Sequence, residues 1–341
     1  MAGARRRGPG GGRRLARRAD LRRGPLRRGL PRGQLGAGVS GTVVAVVGPT
    51  AAGKSALSIA LAHALDGEVV NADSMQLYRG MDIGTAKLTP AERERVPHHL
   101  LDIWDVTEPA SVAEYQRLAR TAVDDILARG RVPLLVGGSG LYIRAVLERF
   151  EFPGTDPVVR ERLERELAEA GPAPLYARLR EADPGAAAGI LPGNGRRIVR
   201  ALEVIELTGA PFTASLPEPT PYYPSVQLGV DLDTAALDER IALRVDRMWA
   251  DGLVAETREL VGRGLPQGRT ASRALGYQQV LRFLAGELTE AEAHDETIRA
   301  TRRFVRRQRS WFRRDPRIHW LDSTDPGLIP AALRLLPAAA R

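Results

Sequence analysis

The stretch that most constrains this chain is an apolar run that ends in a glycine-rich loop. Residues 42–47 read TVVAVV, residues 48–55 read GPTAAGKS, and residues 55–65 have the apolar spacing of a helix. The loop fits the pattern G-x-x-x-x-G-K-[ST], in which backbone N–H groups at a helix N-terminus bind phosphate. A strand that enters such a loop and a helix that leaves it predict a parallel sheet with a phosphate site at its carboxyl edge.

The loop residues are candidate ligands for a polyphosphate, although the pattern does not say which polyphosphate. Lys54 supplies a point charge, the Ser55 hydroxyl is a candidate ligand for Mg²⁺, and Thr50 adds a hydroxyl donor. Lys54 and Lys87 are the only lysines in a chain that otherwise uses arginine as its cation. The predicted phosphate-binding residues are Gly48, Pro49, Thr50, Ala51, Ala52, Gly53, Lys54 and Ser55.

The positive charge of the chain is concentrated at its N-terminus. Residues 1–40 carry twelve arginines and one acid, and the other 301 residues carry 38 basic and 40 acidic groups. We interpret residues 1–40 as a disordered basic tail, with a transit peptide as the rival interpretation. Because the rest of the chain has a net charge of −2, a nucleic-acid surface there requires local arginine clusters. The chain has no cysteine, which excludes disulfides and thiolate zinc sites.

The order of apolar segments predicts an α/β fold, a P-loop NTPase-like parallel sheet core covered by helices. Further strands are predicted at 68–72, 99–103, 132–138, 226–232 and 317–323, and a helix at 111–129. Residues 151–222 show helical signals only, with a start at Asp156-Pro157, a stop at Gly171, and another helix between Asn194 and Gly209. We therefore predict a core at 41–150 and 223–325, a helical insertion domain at 151–222, and a C-terminal tail at 326–341.

Asp73 follows the second predicted strand, in NADSMQLYRGMDIGTAK (71–87). At the carboxyl edge of a parallel sheet it should face the phosphate loop across a crevice. From position alone three roles are open: holding Mg²⁺ through water, acting as a general base, or capping the following turn.

Two arginine clusters stand out in the otherwise neutral body. RRIVR occupies 196–200, and residues 299–317, on a helix expected near 296–314, contain nine arginines and one acid. A solvated face and a phosphate-binding face are both compatible with this charge. We interpret the stripe on this helix as core packing, with base stacking by Trp311 as the alternative; its members are Thr301, Phe304, Val305, Gln308, Trp311 and Phe312.

Several motifs in one order resemble the tRNA dimethylallyltransferases (tRNA isopentenyltransferases). They are GPTAAGKS, NADSMQLYRGMDIGTAK, HHLLDIWDV, PLLVGGSGLYIRAV, RRIVRALEV and SRALGYQQV, and the resemblance runs from about residue 42 to 322. The absence of cysteine sets the chain apart from eukaryotic members with a zinc finger, so it looks like the bacterial form.

The resemblance implies transfer of a dimethylallyl group from dimethylallyl diphosphate to the N6 amine of the adenine 3′ to the anticodon. It implies that Asp73 is the base that takes the amine proton and that Thr50 assists catalysis. It also implies that the diphosphate is bound by the phosphate loop, by Arg244 and by Mg²⁺ held on Ser55. The implied partners are tRNA and dimethylallyl diphosphate. The resemblance also implies a cytoplasmic protein that acts as a monomer and does not bind a membrane. The tRNA-binding candidates are Asp73, Ser74, Met75, Gln76, Ser139, Arg160, Arg196, Arg197, Arg200, Arg273, Gly276 and Tyr277.

Three alternatives remain at this stage. A related transferase would use free AMP, ADP or ATP as acceptor, but would not need the insertion and the arginine-rich helix. A small-molecule kinase of the P-loop type would turn over ATP. A non-catalytic RNA-binding protein would leave the phosphate loop unexplained.

Overall fold

The computed structural model describes residues 41–149, 152–212 and 218–337. The predicted tail at 1–40 therefore lies outside the described residues. The strands are β1 (Val43–Val47), β2 (Gly67–Asn71), β3 (His98–His99), β4 (Val132–Gly137), β5 (Ser225–Asp231) and β6 (Ile318–Asp322). The helices are α1 (Lys54–Leu65), α2 (Val112–Ala128), α3 (Gly140–Leu147), α4 (Pro157–Ala170), α5 (Pro172–Ala182), α6 (Pro184–Ala188), α7 (Gly195–Thr208), α8 (Thr234–Ala250), α9 (Leu253–Gly262), α10 (Tyr277–Leu284), α11 (Glu290–Phe312) and α12 (Leu328–Leu335).

The strands form one parallel sheet in the order β3-β2-β4-β1-β5-β6. The central strand β1 is fully buried and pairs with β4 on one side and β5 on the other. Its last residue, Val47, lies opposite Gly137 of β4 and Gly229 of β5. The loops that follow β1, β4 and β5 therefore leave the sheet side by side, at the edge where the sequence placed the phosphate site.

Helices cover both faces of the sheet, as the continuous apolar strands predicted. Alternate residues of β1 point to opposite faces: Val44 and Val46 pack with α1 and α12, whereas Val43 and Ala45 belong to the larger core with α2 and α3. The α/β fold and the parallel sheet are thus confirmed. No helix within the described ranges combines the length and the apolar character needed to cross a bilayer.

Helices α4 to α7 enclose a hydrophobic cluster of their own, around Leu163, Leu179 and Ile198. The sequence signals for two of these helices are confirmed. The Asp156 side chain accepts hydrogen bonds from two backbone N–H groups at the start of α4, and Gly209, with φ 66°, ends α7. The chain leaves and re-enters the core at one point, because Glu148 and Pro221 form an antiparallel bridge.

Three sequence predictions need correction. The strand expected at 99–103 is limited to His98–His99, because Leu100 and Asp102 have φ values of 62° and 57°, which extended strands do not allow. Helix α11 begins at Glu290 rather than near 296, at a capping box formed by Thr289 and Glu292. The expected tail at 326–341 contains α12, whose Ala332 packs in the core.

Candidate active site

The loops at the carboxyl edge of the sheet surround one large cavity of about 710 Å³. Helices α8 and α11 and the segment before α10 close its other sides. Eight residues predicted from the sequence to form the site line this cavity: Thr50, Asp73, Ser74, Met75, Ser139, Arg196, Arg244 and Arg273. Its volume is in the range of small-molecule and cofactor sites.

The phosphate loop adopts a compact turn whose glycines are required by its shape. Gly48 has φ 138°, and a Cβ there would lie 2.2 Å from the Val230 carbonyl oxygen of β5. The Lys54 ammonium folds back to donate to the Pro49 carbonyl at 2.8 Å. The Thr50 N–H donates to Gln308 Oε1 at 2.9 Å. This backbone N–H is therefore already hydrogen-bonded within the protein, although the sequence pattern suggested that it binds phosphate.

Lys54, Arg244 and Asp73 form one electrostatic unit at the mouth of the loop. Burial lowers the pKa of Lys54 to about 8, with a smaller lowering from Arg244, and the Asp73 carboxylate opposes the shift. Burial also lowers the pKa of Arg244, again opposed by Asp73. Two partly buried cations that share one carboxylate would gain from an anionic ligand, because such a ligand replaces the hydration that burial removes.

Asp73 caps the turn that follows β2 and also faces the cavity. Its Oδ1 accepts the Met75 N–H at 2.9 Å, and its own N–H donates to Asn71 Oδ1 at 2.9 Å. The next residue, Ser74, lies with its hydroxyl 3.4 Å from that of Ser139. The cap role and a chemical role are therefore compatible, because the turn fixes the carboxylate in place.

The cavity wall is largely apolar. Part of the stripe on α11 packs in the core as expected, since Val305 and Phe312 are buried. Phe304 and Trp311 instead face the cavity, and Trp311 is 39% exposed, which corrects the interpretation that they only pack in the core. Further apolar lining residues, which the sequence did not single out, are Leu141, Ile241, Val245, Met248, Ala274 and Leu275.

The arginine candidates separate into two groups. Arg196 of α7 and Arg273 line the cavity, together with Arg307 of α11. Arg160 and Arg200 instead form ion pairs with Glu203, whose side chain is fully buried inside the insertion. Those two guanidinium groups thus hold the insertion together.

Arg197 and Ser55 are exposed, outside the lining of the large cavity. Ser55 and Gln76 both line a separate, much smaller cavity. Gln76 turns away from the large cavity and donates to the Thr85 carbonyl at 3.1 Å.

Tyr277 and Gly276 are buried, so neither reaches the cavity surface as a direct RNA contact. The Tyr277 hydroxyl donates to Glu256 Oε1 at 2.6 Å and accepts the Gly84 N–H at 3.2 Å. Glu256 in turn accepts the N–H groups of residues 82–84. Tyr277 and Gly276 therefore lie beneath the loop at 82–87. The Thr85 carbonyl of that loop also accepts a hydrogen bond from Arg244 at 3.2 Å.

Comparison with known proteins settles the family. A family model described as IPP transferase matches residues 76–315, most of the chain. The chain belongs to the IPP transferase family. Within it, the chain is 87% identical over 302 residues to the tRNA dimethylallyltransferase of Salinispora arenicola, covering 89% of this chain and 88% of that protein. It is 66% identical over 300 residues to that of Thermobifida fusca, with 86% and 94% covered.

Solved structures of IPP transferases share the fold. A full-length tRNA isopentenylpyrophosphate transferase from Bacillus halodurans is similar with a TM-score of 0.64 at 42% identity, covering 86% of this chain and 93% of that one. A eukaryotic dimethylallyltransferase acting on tRNA is similar with a TM-score of 0.74 at 28% identity, covering 86% and 77%. The resemblance seen in the sequence motifs is thereby confirmed.

The donor set around the loop is compatible with Mg²⁺ only if the ligand contributes. Within the described residues, no group of three or more His, Asp or Glu converges on a metal position. Mg²⁺ commonly binds through one or two protein oxygens together with water and substrate phosphates. The Ser55 hydroxyl at the start of α1 is a protein oxygen suited to that arrangement.

Proposed function

We propose that this protein transfers a dimethylallyl group from dimethylallyl diphosphate to the N6 amine of the adenine 3′ to the anticodon in tRNA. The observation that carries the proposal is that Asp73 and Arg244 line one cavity together with Thr50 of the phosphate loop, whose Lys54 ammonium is folded onto the loop backbone. The names of its relatives, tRNA dimethylallyltransferases over nearly their whole length, agree with it.

In this reaction the amine nitrogen forms a bond to the first carbon of the dimethylallyl group, and the bond from that carbon to the diphosphate oxygen breaks. The electron pair leaves with diphosphate, beside Lys54 and Arg244. Asp73 takes the amine proton, which raises the rate because the amine lone pair is delocalised into the ring; such a base contributes about 10²–10⁴-fold. The hydroxyl of Thr50, which lines the same cavity, is a further donor toward the leaving group.

Ser55 and the diphosphate oxygens together would hold Mg²⁺, with Ser55 as its protein ligand. When bound, the ion neutralises charge on the leaving diphosphate. The apolar wall formed by Ile241, Val245 and Met248 suits the hydrocarbon part of the donor, since such surface gains from leaving water.

A tRNA acceptor accounts for features that a free nucleotide would not need. Arg196 comes from the insertion, whereas Arg273 and Arg307 come from the core, and all three reach the same cavity. Phosphate contacts from both bodies would position an RNA loop whose target base is unstacked into the cavity. Trp311 and Phe304 on the wall are suited to stack on that base.

The direct test supplies labelled dimethylallyl diphosphate and Mg²⁺ with either unmodified tRNA or AMP. We expect label in tRNA and none in AMP. Label in AMP alone would favour a nucleotide acceptor, and ATP turnover without prenyl transfer would favour a kinase; either result contradicts the proposal.

A further inference from the structure

Gln308 of α11 bridges the two loops that follow β1 and β4, which leave the sheet side by side and both line the cavity. Its Oε1 accepts the Thr50 N–H of the phosphate loop at 2.9 Å, and its Nε2 donates to the Gly138 carbonyl at 2.9 Å, after β4. The side chain is 6% exposed and is 258 residues from Thr50 in sequence. Both ends of one rigid planar amide are therefore fixed to backbone groups of different loops.

The glycines of the loop after β4 make room for this contact. A Cβ at Gly138 would lie 2.4 Å from Gln308 Nε2, and a Cβ at Gly140 would lie 1.9 Å from Trp311 Nε1. The Gly-Gly-Ser-Gly motif is thus more than a tight turn, because it accepts one face of α11 without space for a side chain. Packing this close leaves the carboxamide little freedom to shift.

The two loops that Gln308 joins serve different substrates in the proposed reaction. Thr50 belongs to the donor side. Ser139, next to Gly138, contacts Ser74 at 3.4 Å, and Ser74 follows Asp73 on the acceptor side. The carboxamide is therefore a spacer between the diphosphate loop and the loop that supports the base.

We propose that Gln308 is a positioning residue that sets the distance between the donor carbon and the acceptor amine. The inference rests on the proposed function. Its reason is that a misplacement of about 1 Å between reacting groups can cost about 10²-fold in rate without a comparable loss of binding. Gln308 acts through the two loops, since both of its polar atoms are already bound within the protein.

The test compares three proteins with wild type: Gln308→Leu, Gln308→Glu, and the control Gln267→Leu, which alters an exposed glutamine outside the cavity. For Gln308→Leu we expect kcat to fall about 10²-fold and both KM values to change less than about 3-fold. The control should keep wild-type kinetics. An inactive wild type would contradict the proposed function, whereas an active wild type with an equally active Gln308→Leu enzyme would contradict only the positioning role.

Gln308→Glu separates positioning from a general loss of stability within one preparation. An ionised Glu accepts the Thr50 N–H but repels the Gly138 carbonyl; a protonated Glu donates to it and restores both bonds. The ratio of variant to wild-type kcat should therefore rise as pH falls toward about 5.5, since burial raises the pKa of such a carboxyl. Asp73, Arg244 and Arg307, which line the cavity, and Lys54 are present in both proteins, so the ratio isolates the effect of residue 308. A ratio that is independent of pH would overturn the inference.

Discussion

The ammonium nitrogen of Lys87 lies 2.6 Å from a carboxylate oxygen of Asp102. The same nitrogen contacts Asp82 Oδ1 at 2.6 Å and the Tyr78 carbonyl at 3.0 Å, and its side chain is almost fully buried. Lys87 therefore holds the segment between β2 and β3 together and also ties it to Asp102, which follows β3. That segment carries the Thr85 carbonyl, which accepts the guanidinium of Arg244 in the candidate diphosphate site.

Replacement of Lys87 by methionine should reduce both stability and donor binding. The variant leaves two half-exposed carboxylates facing each other and a carbonyl without its donor, which we expect to cost about 2 kcal/mol of unfolding free energy. The freed loop no longer fixes Arg244, so the KM for dimethylallyl diphosphate should rise more than the KM for tRNA. Urea unfolding and steady-state kinetics measure the two effects. Equal increases in both KM values would contradict the link to Arg244.

Asp73→Asn should remove catalysis while it preserves the local turn. An asparagine keeps an oxygen that accepts the Met75 N–H, a contact made by Asp73 Oδ1 at 2.9 Å. It cannot take a proton from the amine, so the single-turnover rate should fall about 10²–10⁴-fold. Binding of donor and tRNA should remain, as measured by filter binding. Asp73→Ala, which loses both functions, is the comparison; a near-wild-type rate for Asn would exclude Asp73 as the base.

The sequence predicts the elements whose signals are local. The apolar β-branched runs of β1, β2 and β4 and the caps at Asp156 and Gly209 are confirmed within a residue or two, because a strand next to a glycine-rich turn needs no distant partner to be recognised.

Contacts between segments that are distant in the chain cannot be predicted from the sequence in this way. The period of α11 places Gln308 in the buried stripe, but its partners on two other loops follow only from the tertiary fold. Likewise the SRALGY motif marks Tyr277, yet its contact with Glu256 and Gly84 makes it a support beneath the loop. The predicted extent of β3 to residue 103 is wrong for the same reason: Asp102 leaves the strand direction and contacts Lys87.

The depressed pKa of Lys54 predicts a pH limit on donor capture. Because burial lowers this pKa to about 8 in the free protein, Lys54 loses its charge as pH rises through 8. The value of kcat/KM for dimethylallyl diphosphate should therefore fall above pH 8. Once bound, the diphosphate favours the charged amine, so kcat should fall only at higher pH. Lys54→Arg is the control, since arginine stays charged over this range and should abolish the fall in kcat/KM near pH 8.

Two arginine substitutions should separate RNA contact from support of the insertion. Arg307 is exposed and lines the cavity, so Arg307→Gln should weaken tRNA binding and reduce the slope of log K against log salt by about 1, with stability unchanged. Arg160 pairs with fully buried Glu203, so Arg160→Gln leaves that carboxylate with fewer partners and should cost about 3 kcal/mol.

The measurements are tRNA binding across a salt series and urea unfolding of each variant. A changed salt slope for Arg160→Gln with wild-type stability would show that Arg160 contacts RNA after all. An unchanged slope for Arg307→Gln would instead show that Arg307 makes no phosphate contact. Because Arg200 also pairs with Glu203, the double variant Arg160→Gln/Arg200→Gln should lose more stability than the sum of the two single variants, as buried Glu203 then has neither cation.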